Sequence, residues 1–121
     1  MLFTAKSPIT NWRFNTLLAT THIPISEVPK TLNSNLIHSK LDLLLNFCSQ
    51  YSKNPILKVA GLNPHAGEEG MLGNEEKDWL NHAITKWKGK KEKVQIFGPI
   101  SPDTCWNSSA EAWANKEASR H

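Results

Sequence analysis

The chain has 121 residues, which suits one domain and does not readily accommodate two. Hydrophobic residues make up 39% and charged residues 21% of the chain, a composition that excludes disordered and fibrous classes. No apolar run approaches the roughly 20 residues that a membrane helix needs. The N-terminus also lacks the apolar segment of a signal peptide. We therefore expect a cytoplasmic protein with no membrane partner.

Basic residues are concentrated at residues 86–93, KWKGKKEK, although the formal net charge of the whole chain is a mild +3. The cluster is interpreted as the solvated end of a helix and the turn after it. The alternative, a nucleic-acid patch, would need interleaved aromatic residues or a known motif, and Trp87 alone is thin support. We therefore expect no nucleic-acid partner.

The two cysteines, Cys48 and Cys105, lie far apart in the sequence and form no CxxC pair. This spacing indicates neither a zinc knuckle nor a disulfide framework. Both residues are expected to be reduced thiols.

In chain order, the first half predicts a strand, a loop and a helix. Residues 14–20, FNTLLAT, are predicted to form a buried strand, and the two prolines of residues 22–30 indicate a loop. A helix capped by Ser34 or Asn35 is expected to continue to about Gln50. Its apolar residues recur at helical spacing: Ile37, Leu41, Leu44, Leu45 and Cys48.

The second half repeats this order twice. A strand is predicted at residues 56–62, followed by a glycine-rich loop and a helix that Asn74 caps and Gly89 ends. The apolar stripe of this helix is Trp79, Leu80, Ala83, Ile84 and Trp87. A third strand at residues 94–98 and an alanine-rich helix from Ser108 complete the pattern. Such alternation predicts an α/β fold with three layers, in which helices flank a mostly parallel sheet.

Each predicted strand leads into a loop with a candidate functional residue, namely His22, His65 and Asp103. Ligands of open α/β sheets bind beyond the carboxyl ends of the strands, so these three residues are predicted to converge. Two imidazoles and a carboxylate suit Zn, Co, Mn or Fe, and such a cation would act as a Lewis acid. The alternative is that each histidine only caps or hydrogen-bonds a loop. His38 and His82 are predicted to face solvent without a role.

The glycines of residues 67–73 have two interpretations. They allow the backbone to approach a ligand or a partner chain closely, or they form a flexible turn that leads to the cap at Asn74. There is no GxGxxG and no GKS or GKT, and Glu68 and Glu69 argue against direct contact with a phosphate.

Three ordered segments, LLATTHIPISEVP, VAGLNPHAGEEGMLGNEE and GPISPDT, closely resemble the 4-hydroxythreonine-4-phosphate dehydrogenase family of pyridoxal 5′-phosphate biosynthesis. The resemblance implies a fold similar to part of the isocitrate and isopropylmalate dehydrogenases. It implies the oxidation of 4-phosphohydroxy-L-threonine, a small phosphorylated amino acid, by NAD or NADP. The resulting β-keto acid then decarboxylates to 3-amino-2-oxopropyl phosphate.

The resemblance also implies a divalent metal (Zn, Mg, Co or Mn), held by three histidines from both subunits of a homodimer at their interface. His22 in ATTH and His65 in NPHAG match two of these ligands. Asp103 matches the aspartate of GPxxxDT and is expected to face the substrate or to support a metal ligand.

Other family motifs have no counterpart here, among them the YHDQG-like motif of the third histidine. Residues 1–121 are therefore expected to form a single α/β segment from the middle of a longer dehydrogenase. Three functions stay open: a dehydrogenase or part of one, an inactive fragment or dimerisation remnant, and a small metal-binding protein.

Overall fold

The computed structural model describes residues 1–63, 66–67, 70–71, 73–91 and 94–115. The strands in these ranges are β1 (Leu2–Lys6), β2 (Arg13–Leu17), β3 (Ile56–Ala60) and β4 (Gln95–Ile100). The α-helices are α1 (Val28–Thr31), α2 (Ser34–Cys48), α3 (Asn81–Lys90) and α4 (Asn107–Ala114). A 3-10 turn, Ile25–Glu27, precedes α1, and a π-helical turn, Glu76–Leu80, leads into α3. No helix in the described ranges is long and apolar enough to cross a membrane.

Strands β3 and β4 form a parallel pair, in which Leu57 lies opposite Ile96 and Ala60 lies opposite Ile100. The ladder continues one residue past β3, where the Gly61 N–H donates to the Ile100 carbonyl at 2.7 Å. Because parallel strands point the same way, the loops that follow β3 and β4 leave from the same edge. This pair and its helices confirm the predicted α/β class.

Strand β2 does not join the parallel pair. It is antiparallel to β1, with Leu2 opposite Leu17 and Lys6 opposite Arg13, so the described strands form two separate two-stranded sheets. The expectation of one sheet containing all three predicted strands was therefore wrong. A strand can join an antiparallel partner through a short turn, whereas a parallel partner requires a crossover connection. Because β1 lies just before β2 along the chain, a short turn is enough to pair them. Strand β1 was not predicted, because it is short, mostly exposed and lacks a clear apolar alternation.

The turn between β1 and β2 attaches the hairpin to α4. Ser7 is 1% exposed; its hydroxyl accepts from the Thr10 N–H at 3.1 Å and donates to the Trp113 carbonyl at 2.6 Å. The Thr10 hydroxyl donates to the Ala112 carbonyl at 3.0 Å. These hydroxyls satisfy carbonyl groups at the end of α4 that have no partner within the helix.

The core lies between one face of the parallel pair and helices α2 and α3. Its buried members come from all four elements and from the π-helical turn: Ile37, Leu41, Leu57, Leu80, Ile84, Trp87 and Ile96. Both predicted apolar stripes thus face this core, as their spacing indicated. The side chain of Asn33, not Ser34 or Asn35, caps α2 by accepting from the Leu36 N–H at 2.9 Å.

Two polar contacts join α2 to α3. A ring nitrogen of His38 lies 2.8 Å from the Ala83 carbonyl, and the Trp87 indole N–H donates to Asp42 at 2.9 Å. His38 is half-buried, so the prediction that it faces solvent without a role was wrong. His82 is exposed, as predicted. The burial of His38 could not be predicted from its neighbours in the sequence, because its hydrogen-bond partner, the Ala83 carbonyl, is distant in sequence.

The other face of the parallel pair points toward α4. Lys58 donates from this face to the Ser108 hydroxyl at the start of α4. Ile56 and Phe97 are 40% and 49% exposed, so α4 covers this face only in part, whereas parallel sheets are usually covered on both faces. Cys48 and Cys105 are free thiols, as predicted, and burial raises the pKa of both.

Candidate functional site

The loop that follows β3 folds around a buried carboxylate, that of Glu76, which is 3% exposed. Its Oε1 accepts from the Asn63 backbone N–H at 2.7 Å, and its Oε2 accepts from the Asn63 side-chain amide at 2.8 Å. The same amide nitrogen donates to Glu75 Oε2 at 2.8 Å. A buried carboxylate needs such donors, since burial without hydrogen bonds is unfavourable. Asn63 therefore connects the start of this loop to the turn that opens α3.

Three glycines allow the loop to approach this carboxylate. A Cβ on Gly67 would lie 2.9 Å from Glu76 Oε2, and one on Gly61 would lie 3.2 Å from Glu76 Oε1. A Cβ on Gly73 would overlap the Asn63 side chain. Gly67 and Gly73 also have positive φ values of 85° and 131°. The glycines of this loop that the structure describes therefore allow close packing within the chain. Neither of the two interpretations of residues 67–73 included this role.

Because Glu76 follows the predicted cap Asn74 by two residues, the sequence indicates that it lies in the first turn of a helix, where the helix dipole favours an anion. The structure keeps it at the start of the helical segment but buries it, which is rare for glutamate. The glycine-rich sequence just before it was the available signal, because glycines often mark a close approach of backbone to another group.

Glu75 is expected to make the loop sensitive to acid. The Asn63 amide, followed by the backbone N–H groups of Glu75 and Asn74, holds the pKa of Glu75 below its ordinary value of 4.5. A carboxylate whose pKa is lower in the folded state than in the unfolded state stabilises the fold at a pH above its unfolded-state pKa. This stabilisation is lost as the pH falls through the folded-state pKa. The loop is therefore expected to lose stability in mild acid.

We expect Glu75→Gln to reduce this acid sensitivity, because the replacement amide keeps an acceptor for Asn63 but does not titrate. The measurement is the urea midpoint of unfolding at neutral pH and at a pH below 4.5, compared between variant and parent. Asp78→Asn, which removes an exposed carboxylate from the same turn, is the control. An equal loss of stability on acidification in parent and Glu75→Gln would contradict the prediction.

His22 lies beyond the end of β2, on an exposed turn with a left-handed φ of 58°. The segment that leads to it lines a cavity of about 330 Å³, together with the end of β3 and the start of its loop. The two segments are residues 15–19 and 58–62. His22 and the loop after β3 thus extend from two walls of one cavity, although their strands belong to different sheets.

Asp103 lies in the exposed turn after β4, where the Thr104 N–H donates to the Ser101 carbonyl at 3.0 Å. This turn leaves from the same edge of the parallel pair as the loop that contains Asn63. His65, Glu68 and Glu69 lie outside the described residues. The convergence of His22 and His65 therefore stays a prediction.

The side chains that the structure describes do not form a divalent-metal site by themselves. No group of three or more His, Cys, Asp or Glu residues in those ranges is arranged to hold an ion. His22 offers one accessible imidazole, and a catalytic metal usually takes three protein ligands. The described residues can therefore contribute a ligand to a metal ion, but they do not form a complete metal site.

A parallel pair with α2 and α3 on one face, α4 toward the other, and polar loops leaving its carboxyl edge has an α/β architecture. In open α/β sheets, ligands bind at this edge. A family model described as "Pyridoxal phosphate biosynthetic protein PdxA" matches residues 1–116. The chain belongs to this family, and the resemblance found in its sequence motifs is confirmed.

Individual relatives agree with the family match. The 4-hydroxythreonine-4-phosphate dehydrogenase of Synechococcus sp. (strain RCC307) is 49% identical over 117 residues, which are 97% of this chain and 36% of that protein. The protein of the same name from Synechocystis sp. (strain ATCC 27184 / PCC 6803 / Kazusa) is 49% identical over 115 residues, 93% of this chain and 33% of that protein.

The fold agrees as well. The crystal structure of 4-hydroxythreonine-4-phosphate dehydrogenase from Klebsiella pneumoniae is similar with a TM-score of 0.72 and 34% identity, over 77% of this chain and 28% of that one. The chain spans about a third of the length of the curated relatives it matches.

Proposed function

We propose that this chain is part of a 4-hydroxythreonine-4-phosphate dehydrogenase of vitamin B6 biosynthesis, acting in the cytoplasm with NAD or NADP and a divalent metal. The observation that carries the proposal is the 49% identity, over 97% of the chain, to a relative of that name. The reaction oxidises the secondary alcohol of 4-phosphohydroxy-L-threonine, and loss of carbon dioxide then gives 3-amino-2-oxopropyl phosphate. Residues 1–121 provide one α/β segment, from the middle of the longer enzyme.

In this proposal His22 and His65 are metal ligands, and Asp103 faces the substrate or supports a ligand. Two features support the assignment. The turn that holds Asp103 and the loop after β3 leave from one edge, and the segment before His22 shares a cavity with that loop. A bound metal would supply Lewis-acid polarisation of the substrate oxygen. The remaining ligands and the nicotinamide site come from outside this chain, within a homodimer whose interface holds the active site.

The test is reconstitution of activity. The chain alone, given substrate, NAD or NADP and a divalent metal, is expected to form no reduced nicotinamide. Activity is expected when it is mixed with segments of a full-length relative that supply the missing parts. Loss of a residue that only supports a metal ligand reduces metal affinity or activity by about 10–100-fold. Because loss of a ligand itself should have at least as large an effect, His22→Ala and His65→Ala should each reduce activity by at least about 100-fold.

The control is His82→Ala, which removes an exposed imidazole from α3 and should leave the reconstituted activity unchanged. Full activity in His22→Ala and in His65→Ala would refute the ligand assignment.

The alternative function is an inactive fragment or dimerisation remnant that has no independent catalysis. This candidate predicts association with a full-length relative without turnover in any mixture. Reconstituted activity that depends on His22 would exclude it.

A further inference from the structure

We propose that a basic cleft beside the β1–β2 hairpin binds a small phosphorylated organic molecule through Lys6, Arg13 and Lys53. The cleft has a volume of about 860 Å³ and lies between the hairpin and the segment that joins α2 to β3. Ligand sites usually measure about 300–1,000 Å³, so its size suits a small molecule. Ile56 and Gln95, the first residues of β3 and β4, line it. The cleft is therefore at the opposite end of the parallel pair from the candidate loops, and the proposal is independent of the proposed function.

Two of the three cations face each other. Lys6 and Arg13 are register partners in the β1–β2 pair, so their side chains leave the same face of the hairpin with Cβ atoms about 5 Å apart. Like charges directly opposite each other in a sheet are destabilising. Lys53, from the segment between α2 and β3, brings a third positive charge to the cleft.

No carboxylate offsets this charge in the part of the chain that the structure describes. No aspartate or glutamate in those ranges lines the cleft, and none of the three cations forms an ion pair with one. A cleft lined by charges of one sign raises the local concentration of oppositely charged ligands. An anion bound there would offset the repulsion between Lys6 and Arg13, so its binding should also stabilise the fold.

Arg13 is oriented by two neighbours. Its guanidinium lies over the ring of Tyr51, with Cζ 4.1 Å from the ring centroid, and Nη1 donates to the Thr4 hydroxyl at 3.2 Å. A guanidinium has five N–H donors, so this hydrogen bond leaves most of them for a ligand. The planar arrangement of these donors matches two oxygens of a phosphate group at once.

The remaining lining suits the organic part of such a ligand. Trp12, Pro55 and Ile56 present apolar surface to the cleft, and the Ser52 hydroxyl and the Asn54 amide add neutral hydrogen-bonding groups. A phosphate monoester carries a charge of about −1.5 to −2 at neutral pH in one compact group. It offsets more of the charge of three cations than a single carboxylate does, so we assign a phosphate ester to the cleft.

The first test is titration of the full chain with phenyl phosphate, followed by NMR shifts of the backbone amides. We expect saturable binding with shifts concentrated at residues 6–13 and 51–56, and weaker binding of inorganic phosphate, which lacks an apolar part. Lys6→Gln and Lys53→Gln should each reduce the affinity for phenyl phosphate by about 10-fold, as for loss of a hydrogen bond to a charged group. Lys86→Gln, which removes an exposed lysine from α3, is the matched control and should leave the affinity unchanged.

Urea unfolding provides a second readout. Saturating phenyl phosphate should raise the midpoint of the parent chain, because it binds only the folded state. Without ligand, Lys6→Gln should also raise the midpoint, since it removes the repulsion from Arg13, whereas Lys86→Gln should not.

Three results would overturn the proposal: no saturable binding, an equal loss of affinity in Lys6→Gln and Lys86→Gln, or a lower unfolding midpoint in Lys6→Gln without ligand. A short single-stranded DNA that displaces phenyl phosphate and binds more tightly would overturn the assignment to a small molecule. None of these results bears on the reconstitution test of the proposed function, which depends on His22 and His65.

Discussion

Replacing Trp87 by alanine is expected to lower the free energy of unfolding by about 3–5 kcal/mol, the usual range for removing a buried aromatic side chain. Trp87 is 2% exposed and belongs to the core cluster that joins α2, α3 and the parallel pair. A small domain has about 5–15 kcal/mol of stability in total, so this variant should lose a large part of it. Urea unfolding followed by circular dichroism measures the change.

Two further variants make the Trp87 prediction specific. Trp87→Phe keeps most of the apolar contact but loses the N–H that donates to Asp42, and it should destabilise the chain less than alanine does. Trp106→Ala is the control for tryptophan removal, because Trp106 is 48% exposed. Equal losses of stability in Trp87→Ala and Trp106→Ala would show that the core does not lie where the structure has it.

Gly98→Ala is expected to destabilise the chain by at least about 2 kcal/mol, through steric overlap and an unfavourable backbone conformation. Gly98 has a φ of 144°, and an added Cβ would lie 2.6 Å from the Val59 carbonyl oxygen on the neighbouring strand. A carbonyl oxygen in a strand cannot move aside as a flexible side chain can. The substitution should therefore push β4 away from β3, just before the edge from which the candidate loops leave.

Gly89→Ala is the matched control for Gly98→Ala. Gly89 lies in α3, and an added Cβ there would meet nothing within 4 Å. Alanine in a helix is more favourable than glycine by about 0.5–1 kcal/mol, so this variant should be more stable than the parent. Hydrogen exchange of the β3 and β4 amides, together with urea unfolding, should show opposite changes in the two variants. A Gly98→Ala chain as stable as the parent would contradict the packing described for the parallel pair.

The predicted helices and strands that the structure confirms depend on interactions between residues close in sequence. Ile37 and Leu41 in α2, and Leu80, Ala83 and Ile84 at the start of the second long helix, recur at the helical period and are buried. The spacing that makes a helix also aligns its apolar side chains on one face, so this information is present in any short window. The same holds for the family motifs, which are continuous stretches of sequence.

The features that sequence reasoning missed depend on contacts between distant residues. The pairing of β2 with β1, the bond between His38 and Ala83, and the burial of Glu76 all require partners that the local sequence does not specify. A strand can pair with any suitable edge, and a glutamate is buried only where donors have been brought to it. Local sequence was therefore sufficient for the longer helices, for strands β3 and β4 and for the family of this chain, but not for α1, which lies where a loop was predicted. Only the folded chain decided which strands pair and what surrounds the carboxylate, because packing sets both.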